Sequence, residues 1–109
     1  MTLRKATILA SIFLSSTTFA EPPVWVHGFE DESCGAWAES ARDPVVRAQY
    51  LYWFRGFVSG HNAAIPNQQI GLDRMPSQET LVLYIDRYCR DNPLGIFTGA
   101  AFSLINELQ

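Results

Sequence analysis

Asp43-Pro44-Val45-Val46-Arg47-Ala48-Gln49-Tyr50-Leu51-Tyr52-Trp53-Phe54-Arg55-Gly56-Phe57-Val58-Ser59-Gly60-His61 is the stretch whose reading decides the fold. An aspartate that accepts hydrogen bonds from the first turn, followed by proline at the first helical position, is a strong helix start. At 100° per residue, Val46, Tyr50, Trp53, Phe54, Phe57 and His61 fall on one broad stripe. The opposite side carries Ala48, Tyr52, Gly56, Ser59, Gly60 and Ala63. A helix with a bulky face and a small face predicts the central element of a bundle, packed on both sides and running to about Ala63. Gly56 and Gly60 lower helix propensity by roughly 1 kcal/mol each relative to alanine, so they mark an expected close approach of another backbone. A membrane-dimer reading of the same glycine pair is opposed by Arg47 and Arg55.

Three further helices flank this one. Asp31 or Ser33 caps a short first helix whose buried face is expected to hold Cys34, Trp37, Ala38 and Ala41. Residues 65–76 contain two prolines and a glycine and have no helical period, which predicts a loop of about a dozen residues, a length that is often functional. Ser77 caps the third helix, with Glu79 in its first turn and an apolar face of Leu81, Ile85, Tyr88 and Cys89. Asn92-Pro93 reads as a second cap-plus-proline start, followed by Leu94, Phe97, Ala101, Leu104, Ile105 and Leu108 at helical spacing. No stretch has the alternation of a strand, and no repeat or second domain is visible. The fold expected is all-α, a small orthogonal or bundle-like four-helix domain over residues 31–109.

The N-terminus is of a different kind. Arg4 and Lys5, an apolar run at residues 6–14, and Thr18-Phe19-Ala20 match the three parts of a cleavable export signal, with cleavage expected after Ala20. The run is too short to span a bilayer about 30 Å thick. Residues 21–30, with Pro22-Pro23, read as an extended lead-in. An exported chain with two cysteines implies one disulfide, and both Cys34 and Cys89 fall on core-facing sides of their helices. The bond is expected to staple the first helix to the end of the third. Localisation is expected to be the periplasm or outside the cell.

All eleven acidic residues but only six basic ones, all arginine, lie beyond Ala20, which leaves a net charge of −5 after cleavage. Nucleic acid and anionic membrane both select clustered positive charge, so neither is an expected partner. Catalytic and metal readings are weak throughout. His61 lies near a helix C-terminus, where the macrodipole favours a capping or core role. His27 has no ligand at metal-binding spacing. Glu30-Asp31-Glu32 lacks the alternating ligands and turn glycine of a calcium loop, and Ser33 and Ser59 have no ordered histidine and acid. No cofactor and no enzyme activity are therefore expected, with a small hydrolase using His61 or His27 as a remote alternative.

Cys34-x-x-Trp37, Tyr50-Leu51, Gly56-Phe57-x-x-Gly60, Tyr88-Cys89-x-x-Asn92-Pro93 and Ala100-Ala101 together resemble two kinds of small periplasmic helical protein. One is the HdeA-like acid-stress chaperones. The other is the Tai-type immunity proteins, which neutralise peptidoglycan amidases delivered by type VI secretion systems. The resemblance covers roughly residues 33–104 and implies a disulfide-stapled protein that acts by binding. HdeA-like chaperones are typically rich in lysine, whereas the chain beyond Ala20 has none. Protonating all its carboxylates would nevertheless swing the charge from −5 to about +8 with both histidines charged, a self-repulsion able to open the fold.

By resemblance to the immunity proteins, the loop is the expected contact, with Ile65, Ile70, Leu72, Arg74 and Met75 as its binding residues. Leu83, Ile96 and Phe102 lie off their helices' main stripes and extend the candidate surface, which is also where a homodimer would form. Tyr52 is off-stripe too, but its central helix predicts burial. The expected partner is a protein, either an amidase effector or acid-denatured clients.

Overall fold

A computed structural model describes Thr2, residues 10–12, Val26 and residues 28–109. The expected export signal and lead-in lie mostly outside the described residues, as does His27. The rest is all-α: α1 (Cys34–Glu39), α2 (Pro44–Ala64), α3 (Gln78–Asp91) and α4 (Phe97–Leu108), with short 3-10 turns at Ser40–Arg42, Pro66–Gln68 and Leu72–Arg74. No strand occurs among the described residues.

Three of the four helices begin as local chemistry dictates. The Ser33 hydroxyl accepts from the Ala36 amide, the Asp43 carboxylate from Val45 and Val46, and the Ser77 hydroxyl from Thr80. Helix α4 departs from expectation. Asn92-Pro93 forms a turn rather than a helix start, and Leu94, placed on the apolar face of α4 by its spacing, is 99% exposed. α4 begins at Phe97, with Ile96 as a cap residue that offers no side-chain acceptor. A distant segment of the chain takes over that task. The Phe97 amide donates to the Glu32 carbonyl at 2.7 Å and the Cys34 amide to the Gly95 carbonyl at 3.1 Å, making a one-residue bridge between Ser33 and Ile96.

The core is aromatic at its centre and aliphatic around it. Trp37, Phe54, Phe97 and Ile85 are fully buried, with Tyr50, Leu51, Leu81, Leu104 and Ile105 close behind. Phe97 stacks on Trp37 at 5.5 Å and meets Tyr50 edge-on at 4.9 Å. Phe29, from the end of the lead-in, completes the cluster by stacking on Tyr50 at 4.1 Å. Ring pairs in these geometries contribute about 0.5–1.5 kcal/mol beyond the area they bury. The Cys34–Cys89 disulfide is formed, with Cα atoms 5.3 Å apart, and joins α1 to the last turns of α3.

Two expectations about packing are corrected. The buried side of α1 and of the turn after it is Cys34, Trp37 and Ser40, while Ala38 lies on the exposed side of the helix and Ala41 in the 3-10 turn that follows its end at Glu39. The small face of α2 also meets solvent: Gly56, Ser59, Gly60 and Ala63 are exposed, and Tyr52 is 70% exposed. A Cβ added at Gly56 or Gly60 would touch nothing within 4 Å, so no backbone approaches there. Close approach occurs on α4 instead, where a Cβ at Gly99 would come within 2.6 Å of the Tyr88 hydroxyl.

Three helices also meet through one polar knot. The Trp37 indole donates to the Asp86 carboxylate on α3 at 2.7 Å. Arg47 of α2 lies over the face of the same indole, 3.5 Å from the ring centroid, and donates to the Trp37 carbonyl at 2.8 Å and the Ser40 hydroxyl at 2.9 Å. Burial pulls the Arg47 guanidinium below the ordinary arginine range, while the charge of Asp86 acts in the opposite sense. No described buried side-chain polar atom is left without a partner.

Candidate functional site

The 65–76 segment leaves α2 at Ile65, whose amide still donates to the His61 carbonyl. Pro66 cannot continue the α-helical ladder, and the chain turns through two 3-10 segments before Ser77 starts α3. Without side-chain help such a segment would be mobile, but here the last turns of α2 hold it. Asn62 acts as a two-pronged latch: its amide donates to the Ile70 carbonyl at 3.0 Å, and its carbonyl oxygen accepts from the Ile70 amide at 2.8 Å. The Gln69 side-chain amide donates to the backbone carbonyl of Asn62. A ring nitrogen of His61 lies 2.9 Å from the Gln68 carbonyl, which makes this histidine a loop fastener.

The latch places Ile70 in the core at 3% exposure, so it is an anchor and is withdrawn from the expected contact residues. Met75 is half-buried against the same core. Arg74 is exposed and reaches the Leu108 carbonyl at 3.4 Å, tying the loop to the end of α4. Ile65 and Leu72 are the apolar loop residues that remain available, and Leu72 is 94% exposed.

Beneath Leu72 lies a cleft of about 330 Å³ between α2, the loop and α3. Leu51, Val58, Ile70, Met75 and Leu81 make its apolar walls, and Arg55, Ser59, Asn62 and Gln78 its polar rim. Positions 51, 55, 58, 59 and 62 share one face of α2 because they are spaced by three and four residues. Of the other expected contact residues, Leu83, Ile96 and Phe102 are exposed, but none lines this cleft. Leu83 belongs to a separate shallow concavity with Arg87 and Arg90, and Phe102 leans on Phe57 at 5.0 Å between ring centres. The expected contact surface is therefore divided into patches.

Arg55, Ser59 and Asn62 are the site residues that the sequence reading missed. Their signal in the sequence is the three- and four-residue spacing from Leu51, on a side of the helix away from the aromatic stripe. No group of three or more His, Cys, Asp and Glu residues able to hold a metal occurs among the described residues, and none of their helices is long and apolar enough to cross a membrane.

The described residues thus define a class: a small all-α, single-disulfide domain that presents a fastened loop over a half-apolar cleft. No family model, curated protein or solved structure matches the chain.

Proposed function

We propose that this protein is a non-enzymatic binding protein of the immunity or inhibitor class, exported to the periplasm or beyond, that neutralises a partner protein by presenting its 65–76 loop. The observation that carries the reading is the pairing of a loop fastened at its base by Asn62 and Ile70 with a leucine that is 94% exposed at its tip. Ordering a loop on binding is costly, and a loop already held in shape avoids that cost. A lone exposed leucine is ordinary on a protein surface, but one on a fastened loop beside an apolar cleft offers area that a partner can bury without first ordering the loop.

The partner proposed is a peptidoglycan amidase effector. The test is inhibition of purified amidases of this delivery class by the oxidised protein, compared with its Leu72→Asp variant. Inhibition that the variant loses by at least tenfold supports the reading. Absence of inhibition across a panel of active amidases overturns it.

A second reading, an acid-stress chaperone, draws support from carboxylates that act as fasteners: Asp31 on the Ser33 amide, Asp43 at the start of α2, and Asp86 on Trp37. Hydrogen bonds from Ser33 hold the Asp31 carboxyl below its ordinary range, so its protonation in acid opposes the fold, and acid also swings the net charge positive. This reading requires suppression of client aggregation near pH 2–3. A chain that holds no client there ends it.

A further inference from the structure

The cleft under Leu72 has a chemical asymmetry that the proposed protein contact does not use. Its walls are apolar side chains from both helices and the loop, while its rim holds one charged group, the Arg55 guanidinium. No lining residue is acidic, although the chain as a whole carries a net charge of −3. Among the described residues the only ion pair is Arg42 with Glu39, so Arg55 has no carboxylate partner there. The neighbouring polar groups are already engaged: the Ser59 hydroxyl donates to the Arg55 carbonyl at 3.0 Å, and both ends of the Asn62 amide are held by Ile70. At about 330 Å³ the space lies at the small end of ligand sites and has room for a short hydrocarbon chain.

We propose that this cleft binds a medium-chain carboxylate, its hydrocarbon lying along Leu72, Met75 and Pro76 over the closed floor of Leu51, Val58 and Leu81, and its carboxylate on Arg55. The two halves of the ligand answer the two halves of the site. Hydrocarbon burial supplies most of the affinity, about fourfold for each methylene that enters the cleft. The guanidinium meets a carboxylate with two parallel donors, which fixes the orientation of the chain, but its exposure limits the gain from charge. Leu72 forms the lip, and its 94% exposed side chain gains an apolar neighbour when the chain binds. The inference stands apart from the proposed immunity role, since it requires no protein partner.

Sodium octanoate, kept below its micellar concentration, is the probe, titrated into the isotopically labelled oxidised protein and followed by amide and arginine Nε chemical shifts. Saturable shifts confined to α2, the loop and the start of α3 are expected, with affinity falling from octanoate to hexanoate to butanoate. Arg55→Gln should weaken octanoate three- to tenfold, and Arg55→Lys by less. Ser59→Trp, at an exposed rim position, should fill the cleft and abolish binding while the circular dichroism spectrum is retained. Neutral 1-octanol should bind more weakly than octanoate to the unaltered protein and equally well to Arg55→Gln. No saturable shift, binding that survives Ser59→Trp, or octanol binding as tightly as octanoate would each overturn the proposal.

Discussion

Replacing Asn62 by alanine should free the loop while leaving the helices in place. The substitution deletes both hydrogen bonds to Ile70 and strands a part-buried N–H and C=O. Two neutral hydrogen bonds contribute about 1 kcal/mol each, and a stranded buried polar group adds a penalty of about 1–3 kcal/mol. Partial access to water at this site keeps the total near the lower figures, about 2–3 kcal/mol. Because tenfold in an equilibrium corresponds to about 1.4 kcal/mol, opening of the loop should become roughly 30- to 150-fold more frequent. Hydrogen exchange of the Ile70 amide reads that opening directly, and the core amides of α3 and α4 serve as the internal reference. Exchange of Ile70 accelerated less than threefold, or accelerated only in step with Leu81 and Leu104, would refute the latch. The first result would mean that burial of Ile70 alone holds the loop, and the second that the loop opens only when the whole domain does.

Other predictions follow from the same geometry. Gly56→Ala and Gly60→Ala should each stabilise the protein by about 0.5–1 kcal/mol in chemical denaturation, because both sites are mid-helix with open space for a methyl group; destabilisation would place an unseen neighbour on that face. Replacing both cysteines by serine should cost about 4 kcal/mol, the loop-closure value for a separation of 55 residues, measured as the shift in denaturation midpoint. Hydrogen bonds from Ser33 hold the Asp31 carboxyl below its ordinary range. Its contribution to stability is therefore present above its unfolded value near pH 3.9 and lost as pH falls through the lower folded value, and Asp31→Asn should remove that part of the acid-side slope of Tm. Burial raises the Tyr50 phenol. Its contribution is present below about pH 10 and lost as pH rises through the higher folded value, a slope that Tyr50→Phe should flatten.

The features legible in the sequence were those decided within a few residues of chain. Ser33, Asp43 and Ser77 cap their helices because a short polar side chain finds amides two or three positions away. The disulfide was legible because only one pairing exists and helical phase placed both sulfurs inward. Asn92-Pro93 misled because the true start of α4 at Phe97 is stabilised by Glu32, 65 residues earlier, and no local pattern carries such a pairing. The small side of α2 misled for a different reason: alanine and glycine suit a tight interface and a solvated surface equally well. In the candidate site, the loop boundaries were legible from proline and glycine. That Ile70 turns inward while Leu72 turns outward was not, since the choice rests on the Asn62 latch.

The bridge between Ser33 and Ile96 and the bond beside it have a consequence for the order of assembly. Six residues of helix cannot persist alone in water, so α1 has no lasting structure until α3 and the start of α4 exist to receive it. In a chain made from the N-terminus, the first sulfur therefore waits for nearly the whole domain to appear. With one partner in the chain, it has no wrong choice within its own molecule. The error open to it is capture by another chain, so the yield of correctly oxidised protein should depend on concentration more than on a disulfide isomerase.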